Sequence, residues 1–305
     1  MERAGFLSNS EFVRNAWRAR TVVPAFNIPY LPMMAPVVRA LRDTESFGLI
    51  AVARLEWVKF KAGSLEAVQE EYERVRDSKY TGLHLDHVPV IDEDNEEVDF
   101  EDVIRRAIDA GYGSVMVDGS RLPLDRNIAC CRKIAELAHA AGIPIEAELG
   151  AVLGHEAGPL PSYDELFASG RGFTDPEEAV RFVGETGVDW LSVAAGNVHG
   201  AIAEAARGAK KIQARLDLDR LALISQAVGL PLVLHGGTGI SKDSIMAAVR
   251  RGVAKINIAT AVRQPYEKLA ATSIPMAQRA AYDAAVAIVK TELEVAGQAS
   301  LINPG

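Results

Sequence analysis

Three of the histidines in this sequence stand after short apolar runs that have the composition of buried strands. His87 closes the run 83–87, His235 follows the run 232–234, and His199 comes a few residues after a third run. Imidazoles from separate strands of one domain can form an open zinc site, in which three protein ligands leave one position for a substrate. The spacing alone equally allows three unrelated polar strand ends, so both interpretations stay open at this point.

Carboxylates stand at the ends of several of the same runs. Asp86 immediately precedes His87, where it could orient the imidazole as a hydrogen-bond acceptor or act as a general acid or base. Asp118 and Glu148 end two further runs and could either hold a second cation or have a structural role. His84 is two positions before Asp86 and therefore lies on the same face of the strand. It is interpreted as a structural or supporting residue.

Small residues crowd the ends of the later strands. Glycine-rich turns are common for reasons unrelated to ligands, but eight-stranded α/β barrels commonly bind a phosphate at the ends of strands seven and eight. Backbone N–H groups and a helix N-terminus suit an anion in that position. The residues that predict such a site are Gly196, Gly200, Gly236, Gly237, Gly239, Asn257, Ala259 and Thr260.

The elements that must position these side chains alternate along the whole chain. Apolar runs predict strands at residues 22–28, 49–55, 82–88, 114–117, 145–149, 190–195, 231–234 and 255–259. Amphipathic stretches predict helices at 33–43, 65–76, 100–110, 126–141, 176–185, 217–227, 242–251 and about 276–296. Alternating strands and helices imply right-handed crossovers and a parallel sheet. Eight such units favour an α/β fold of the (β/α)₈ TIM-barrel type, in which the strand ends converge on one face.

We predict that the chain, residues 1–305, is a single barrel domain. Residues 1–21 form an N-terminal helical lead-in, and residues 276–305 form a C-terminal helix and tail. A chain of this length buries enough apolar surface to fold without disulfides. The adjacent Cys130 and Cys131 are poorly placed to bridge each other, and no signal peptide or membrane-length apolar run is evident. These features predict a cytoplasmic protein.

The negative charge of the chain is concentrated in one predicted loop. The formal net charge is −8, which argues against nucleic-acid and anionic-membrane partners. Residues 92–102 contain eight acidic and no basic residues, so this segment alone equals the net charge. It lies in the first of two long loops, 88–102 and 154–175, that should overhang the barrel face carrying the site. The loop could gate the site, select a partner surface or simply be solvated.

On its motifs, the sequence resembles the class II (zinc-dependent) ketose-bisphosphate aldolase family, of the fructose-/tagatose-bisphosphate aldolase type, as a divergent member nearer the tagatose branch. The resemblance runs from about Val22 to the C-terminus. It is carried, in family order, by Ala25-Phe26-Asn27, His84-Leu85-Asp86-His87, Ser114-Val115-Met116-Val117-Asp118-Gly119-Ser120, Glu146-Ala147-Glu148-Leu149-Gly150, Gly196-Asn197-Val198-His199-Gly200, Leu234-His235-Gly236-Gly237-Thr238-Gly239 and Lys255-Ile256-Asn257-Ile258-Ala259-Thr260.

The resemblance implies a metal site and its proton-transfer groups. His87, His199 and His235 match the ligands of one catalytic Zn²⁺ per subunit. Asp86 matches the carboxylate that exchanges a proton with the C4 hydroxyl, and Glu156 matches a mobile-loop glutamate that handles the proton of the dihydroxyacetone-phosphate half. Because neighbouring side chains of a strand point to opposite faces, we expect Asp86 to lie beside the metal without ligating it.

The resemblance also implies the substrate contacts. Asp118 and Glu148 match residues near the metal that can hold an accessory or alternate cation. Asn27 matches a polar residue on the substrate side. The implied phosphate and ketone cradle consists of Gly200, Gly236, Thr238, Asn257, Ala259 and Thr260.

The sequence departs from the family pattern where the substrate would bind. Ala203 replaces a lysine that commonly follows the second zinc histidine, and Leu153 replaces a glycine. Residues 53–57 read Ala-Arg-Leu-Glu-Trp where small polar residues with a serine are usual, and the loop after His87 is extended by the acidic stretch. No departure affects the predicted metal ligands, which indicates retained aldol chemistry on an altered substrate.

The leading hypothesis is therefore a zinc-dependent aldolase that reversibly cleaves a ketose (bis)phosphate to dihydroxyacetone phosphate, or an analogue, and an aldehyde. One alternative, suggested by Ala203 and Arg54, is a related metal-dependent lyase acting on an unphosphorylated or singly phosphorylated sugar or sugar acid. Another is a non-catalytic sugar-phosphate-binding accessory subunit. The expected partners are a small sugar phosphate and a second copy of the chain, in a homodimer or homotetramer.

Overall fold

Eight parallel strands form a closed barrel in the order of the sequence. The computed structural model describes residues 7–151, 163–197, 215–237 and 239–303. Its strands pair in the order β1-β2-β3-β4-β5-β6-β7-β8, and β1 also pairs with β8. Their bounds are β1 Val23–Asn27, β2 Gly48–Ala53, β3 Thr81–Pro89, β4 Val115–Asp118, β5 Ile145–Leu149, β6 Trp190–Val193, β7 Leu232–Leu234 and β8 Val253–Ile258. The predicted (β/α)₈ fold is confirmed.

Helices alternate with the strands and surround the barrel. Within the part of the chain that is described, their bounds are α1 Asn9–Ala19, α2 Met34–Asp43, α3 Arg54–Val58, α4 Leu65–Val75, α5 Phe100–Ala110, α6 Leu124–Ala140, α7 Tyr163–Ser169, α8 Pro176–Thr186, α9 Leu218–Val228, α10 Lys242–Val249, α11 Thr260–Ala270, α12 Ile274–Ala287 and α13 Ala299–Ile302. A 3₁₀ turn at Leu31–Met33 precedes α2, and a π-helical turn at Ile288–Glu292 follows α12. None of these helices has the length and apolar character needed to cross a membrane.

Local sequence signals set many helix ends. Side chains of Ser8, Ser64, Asp99, Asp175, Asp217, Ser241 and Ser273 accept hydrogen bonds from first-turn N–H groups of the helices that follow them. Gly111, Gly187 and Gly229 end helices in the left-handed conformation, which glycine adopts without a steric penalty. Each of these glycines turns the chain back toward the next strand.

The barrel is closed at its amino-terminal end by apolar packing. Phe12 and Val13 of α1 are buried and belong to a cluster with interior residues of the barrel and with Ile302 of α13. Phe12 stacks on Phe47 with ring centroids 3.6 Å apart. A larger cluster lies between the strands and the outer helices. Because the amino-terminal end is filled, the carboxyl ends of the strands form the accessible face.

The structure differs from the predicted elements most clearly at two predicted elements and at one helix that was not predicted. The strand predicted over 49–55 ends at Ala53, because Arg54 and Leu55 already belong to α3. The helix predicted over 276–296 begins at Ile274 and ends at Ala287. Helix α11 was not predicted, since its internal Pro265 removes a backbone donor. Burial of Val262 and Tyr266 in the core offsets that loss.

Candidate active site

A cavity of about 230 Å³ lies at the carboxyl ends of the strands. Residues that follow or end β1, β2, β3, β4, β7 and β8 line it. The predicted site residues among its lining are Asn27, Asp86, His87, Asp118, His235, Gly236, Asn257, Ala259 and Thr260. The fold therefore brings together groups that are up to 233 positions apart in the sequence (27 to 260).

Asp86 lines this cavity but is buried, with 1% of its surface exposed. Its Oδ2 accepts a hydrogen bond from Asn27 Nδ2 at 2.8 Å, and Asn257 Nδ2 donates to Oδ1 and Oδ2 at 2.9 and 3.0 Å. Burial would raise the pKa of this carboxyl, but the positive charges of His87 and Lys255 outweigh burial and hold it well below its usual value. Asp86 is thus held as an oriented carboxylate.

His87 reaches the same cavity as its neighbour Asp86, which strict alternation along a strand does not allow. The pairing of β3 with β4 shifts register at this point: Leu85 pairs with Val115 but Val88 pairs with Val117, so β3 carries one extra residue. Such an irregularity re-aims side chains. The expectation that neighbouring side chains diverge here is therefore wrong.

His87 and His235 lie together, with ring centroids 4.4 Å apart. His87 hydrogen-bonds Asp118 Oδ2 through Nδ1 at 3.1 Å. His235 hydrogen-bonds Glu146 Oε1 through Nε2 at 2.8 Å, and its Nδ1 lies 3.3 Å from Glu148 Oε2. Although burial lowers the pKa of His87, the adjacent carboxylates, led by Asp86, outweigh it and raise this pKa to about 10.

Next to the histidines lies a charge network of Lys255 and Glu146, both fully buried. We call these two residues, together with Asp86, Asn27 and Asn257, the floor. Lys255 Nζ is 2.8 Å from Glu146 Oε2 and donates to Asn257 Oδ1 at 2.7 Å. Glu146 is 0% exposed, as is Lys255. Although burial raises the pKa of Glu146, Lys255 and His235 outweigh it and lower this pKa to about 2. The floor thus links Asp86 to His235 through a continuous series of paired groups.

His84 is also fully buried, as predicted for a supporting residue. Its Nδ1 lies 2.9 Å from Ser114 Oγ, and Ser114 Oγ in turn accepts from Asn9 Nδ2 at 2.8 Å. Burial and the nearby Lys255 lower the pKa of His84 to about 3. His84 is therefore a neutral imidazole that packs behind the floor.

Asp118 and Glu148 contact different histidines, His87 and His235 respectively. Asp118 Oδ1 accepts hydrogen bonds from Ser120 N at 3.0 Å and Ser120 Oγ at 2.6 Å. Burial would raise the pKa of Asp118, but these bonds and the contact with His87 lower it strongly. Glu148 is 2% exposed and accepts from Ser192 Oγ at 3.2 Å. Both carboxylates are available as anionic ligands.

The donor groups fit a bound cation. Possible ligand atoms of Asp86, His87 and His235 all lie within 4.8 Å of one another, as do those of His87, Asp118 and Glu148. In both histidines a carboxylate holds one ring nitrogen, which is how metal-binding imidazoles are usually oriented. Nitrogen and carboxylate donors in this number suit zinc and other first-row divalent metals.

The ends of β7 and β8 form one wall of the cavity. Gly236 has a left-handed φ of 62° and lies with Asn257, Ala259 and Thr260 along the lining. Thr260 begins α11, and Ala259 provides no side-chain cap for the first turn of that helix. An uncapped helix N-terminus facing a cavity is suited to an anion such as phosphate.

Four predicted site residues lie outside the described part of the chain. They are Glu156, His199, Gly200 and Thr238. Ala203 and Leu153, where the sequence departs from the family pattern, also lie outside it.

The structure adds residues that the sequence did not single out. Glu146 and Lys255 belong to the floor, and their signal was available: each is two positions from a predicted site residue, Glu148 or Asn257, and so shares its face of the strand. Glu56, Arg121 and Arg263 line the cavity but lie on helices or turns, where no strand periodicity points to them.

Glu56 is a buried acid on the cavity wall, with 6% of its surface exposed. Its Oε2 accepts a hydrogen bond from Ala53 N at 2.8 Å, which begins α3 at that point. Burial, assisted by the charge of Asp86, raises the pKa of Glu56 to about 8. Glu56 is therefore mostly protonated near neutral pH.

The acidic segment forms an ordered rim beside the cavity, which we define as residues 90–97 with Arg54, Lys59 and Arg121. Asp92 Oδ2 pairs with Arg54 Nη1 at 3.2 Å, and Asp92 Oδ1 accepts from the N–H groups of Asp94 and Glu96, both at 3.0 Å. Ile91 and Glu93 line the cavity, so the prediction that this segment overhangs the site is confirmed. Asp99, Glu101 and Asp102 instead cap or begin α5.

Comparisons with known proteins agree with this geometry. The family model for class-II fructose-bisphosphate aldolase matches residues 8–300. A probable fructose-bisphosphate aldolase of Bacillus subtilis is 33% identical over 259 residues, covering 83% of this chain and 81% of that protein. The fructose-bisphosphate aldolase of Geobacillus stearothermophilus is 32% identical over 257 residues, covering 83% and 80%.

A solved structure extends the similarity to the whole fold. A putative fructose-1,6-bisphosphate aldolase from Coccidioides immitis superposes with a TM-score of 0.75 at 28% identity, covering 96% of this chain and 98% of that one. The matches span nearly the whole barrel, including every strand that contributes to the cavity. The chain therefore belongs to the class II fructose-bisphosphate aldolase family and is an aldehyde-lyase of that metal-dependent type.

Proposed function

We propose that this protein is a zinc-dependent aldolase that reversibly cleaves a ketose phosphate to dihydroxyacetone phosphate, or a close analogue, and an aldehyde. The observation that carries the proposal is the position of Asp86. This buried carboxylate is held by Asn27 and Asn257 next to His87 and His235, in a cavity whose wall at β7 and β8 is suited to an anion. Membership of the aldolase family supports the same reaction.

In this proposal His87, His199 and His235 hold the zinc ion. When bound, zinc supplies a Lewis acid that stabilises the negative charge developing on the substrate carbonyl oxygen. Asp118 orients His87 and Glu146 orients His235 through the hydrogen bonds described above. Asp118 and Glu148 are the proposed ligands of an accessory or alternate cation.

Asp86 is the proposed acid and base at C4. In the cleavage direction it accepts the proton of the C4 hydroxyl as the C3–C4 bond breaks, and in the condensation direction it returns that proton. Its low pKa keeps it ionised, and the two asparagine amides fix both carboxylate oxygens. Glu156 is proposed to handle the proton of the dihydroxyacetone-phosphate half.

The wall formed by β7 and β8 is the proposed phosphate and ketone cradle. The phosphate and the ketone of the substrate would be bound there by Gly236, Asn257, Ala259 and Thr260 together with Gly200 and Thr238. The N-terminus of α11 has no side-chain cap, and the glycine backbone allows a ligand to approach closely. Both features suit a phosphate group at this end of the substrate. As the family resemblance implies, we further propose a homodimer or homotetramer, which light scattering of the purified protein would test. A cytoplasmic location stays a proposal from the sequence.

A retro-aldol screen of zinc-loaded protein tests the proposal. The panel contains ketose bisphosphates, ketose monophosphates, unphosphorylated ketoses and sugar acids, with aldehyde release as the readout. We expect turnover of a ketose phosphate that a chelator abolishes and added zinc restores. The chelator should leave the circular-dichroism spectrum of the protein unchanged. Borohydride should trap no lysine adduct. Turnover that survives complete removal of metal contradicts the proposal.

A further inference from the structure

Arg121 lines the cavity, and neither the family resemblance nor the proposed reaction assigns it a role. It lies three positions after Asp118, where hydrogen bonds from Ser120 to Asp118 tighten the turn after β4. Helix α6 begins soon afterwards at Leu124. The position of Arg121 is thus set by the same turn that holds a carboxylate beside His87.

The hydrogen-bond partners of Arg121 are neutral. Nη1 donates to the backbone oxygen of Asp92, and Nη2 donates to Asn95 Oδ1 at 2.8 Å. These bonds use two of the five N–H donors of a guanidinium group. Among residues 7–151, 163–197, 215–237 and 239–303, no carboxylate forms an ion pair with Arg121. The rim therefore holds the side chain in place without neutralising its charge.

Other cations near the cavity differ in this respect. Arg263 Nη1 contacts both carboxylate oxygens of Glu267, at 2.7 and 2.8 Å. Lys59 Nζ lies 2.8 Å from Asp94 Oδ2 and 3.5 Å from Glu93 Oε1. Since Glu93, which lines the cavity, pairs with Lys59, it does not form an ion pair with Arg121.

Glu56 does not cancel the charge of Arg121 either. Glu56 also lines this side of the cavity, and burial raises its pKa to about 8, so it is mostly neutral near pH 7. Asp118, at the end of β4, is already paired with His87. The wall after β2 to β4 therefore presents a guanidinium group among neutral and already paired groups. A guanidinium fork binds carboxylate or phosphate through two parallel hydrogen bonds.

The barrel places Arg121 across the cavity from the proposed phosphate cradle. Arg121 follows β4, whereas Asn257 and Thr260 belong to β8 and the helix after it. In a closed ring of eight strands, β4 and β8 are diametrically opposite. From this strand order we infer that a substrate bound by its phosphate at β8, with its reacting bond over Asp86, would extend its aldehyde-derived end toward β4.

We propose that Arg121 is a specificity-determining residue that binds an anionic group, carboxylate or phosphate, on the aldehyde-derived end of the substrate. The inference rests on the proposed function, because it takes the cradle at β7 and β8 as the site of the first phosphate. It also gives the acidic segment a role: Asp92 and Asn95 hold Arg121 in position.

Calorimetric binding of unreactive ligands to the zinc-loaded protein tests this proposal without turnover. The probes are a hexitol 1-phosphate, a hexitol 1,6-bisphosphate and a hexonate 6-phosphate, which differ in the group opposite the first phosphate. We expect one or both doubly anionic probes to bind about 10- to 100-fold more tightly than the hexitol 1-phosphate. The probe that gains affinity identifies the distal group as phosphate or carboxylate.

Variants then assign the gain to Arg121. Arg121→Met should remove the preference while leaving the affinity for hexitol 1-phosphate within about twofold, and Arg121→Lys should retain part of it. Arg106→Met is the matched control, because Arg106 is exposed and pairs with Glu66 away from the cavity.

Three results overturn the inference alone: equal binding of all probes to the wild type, a preference that survives Arg121→Met, or equal weakening of all probes by that variant. If no phosphate ester binds the wild type, the proposed function fails first, and the inference fails with it.

Discussion

The floor and the rim of this cavity both consist of charged residues, but they hold those charges in opposite ways. In the floor, Lys255 and Glu146 are fully buried and pair at 2.8 Å. In the rim, Lys59 and Asp94 also approach to 2.8 Å, yet their side chains are 40% and 63% exposed. Water screens the second pair and not the first.

In the proposed function, this difference separates the groups that carry out the reaction from the groups that select the substrate. Removing one partner in the floor leaves an uncompensated charge with no water to solvate it, so the set is kept or lost as a whole. Removing one partner in the rim costs little, so the rim can vary between relatives with the substrate. The floor residues belong to motifs shared with the family, whereas Arg54 and the acidic segment, where the sequence departs from the family pattern, belong to the rim.

The largest expected effect is on catalysis. Asp86→Ala should lower kcat by about 10²- to 10⁴-fold, because it removes the proposed proton acceptor at C4. Zinc content, measured by elemental analysis, should stay near that of the wild type, since the proposed ligands are histidines. A near-normal kcat would remove Asp86 from the proton-transfer role.

A pair of lysine variants compares the two regions directly. Lys255→Met should lower the free energy of unfolding by about 3–5 kcal/mol, because it leaves Glu146 buried and unpaired. Lys59→Met, which breaks an exposed pair, should lower it by about 1 kcal/mol or less. Urea denaturation measures both. Equal losses would mean that burial does not distinguish floor from rim.

Glu56 lies between the two regions and should make stability depend on pH. Its pKa is about 8 in the folded protein and near the ordinary 4.5 when unfolded, so the folded state binds the extra proton between these values. The contribution of Glu56 to the free energy of unfolding is therefore fully present below about pH 4.5 and is lost as the pH rises to and through 8. The loss is on the order of a few kcal/mol. Glu56→Gln should remove that loss while keeping the acceptor for Ala53 N.

The pH comparison has a matched control in Glu97→Gln. Glu97 is an exposed acid of the rim, so its replacement removes one negative charge without emptying a buried site. Thermal denaturation at pH 5 and pH 8 should show Glu56→Gln gaining on the wild type at the higher pH, with Glu97→Gln unchanged. Parallel pH profiles for wild type and Glu56→Gln would contradict the assignment.

The smallest expected effect is at Asp92. Asp92→Asn weakens the pair with Arg54 but keeps a side-chain oxygen that can accept from the N–H groups of Asp94 and Glu96, so it should lower the free energy of unfolding by about 1 kcal/mol. Because the backbone of Asp92 holds Arg121, the same change should weaken binding of the favoured doubly anionic probe by only a few-fold. Calorimetry with that probe measures it. A loss as large as that of Arg121→Met would mean that Asp92 itself binds the ligand.

The sequence predicted the barrel well, because its strands are short apolar runs between clear helix signals. Strand β5 has the predicted bounds, and the others differ by a few residues. The exception after Ala53 has a local cause. The run Ala53-Arg54-Leu55 can continue a strand, and only the hydrogen bond from Ala53 N to Glu56 shows that a helix begins there.

The site was predictable only as far as strand periodicity reaches. Asp86 and His87 lie in the last part of β3, and His235 directly follows β7, so the convergence of the carboxyl ends of strands in a barrel brings them together. Arg121 and Glu56 depend on the path of turns after β4 and β2, which no periodicity describes. The alternation rule failed at Asp86 and His87, since a register shift depends on the neighbouring strand.

That extra residue in β3 has a consequence for protein engineering. A designer who grafts Asp86 and His87 onto a regular strand of another barrel would install both side chains, but with one turned out of the cavity. Deletion of Leu85 or of Val88 should have the same outcome here, although Asp86 and His87 would both remain in the sequence. The portable unit of this active site is thus the irregular strand together with its partner β4.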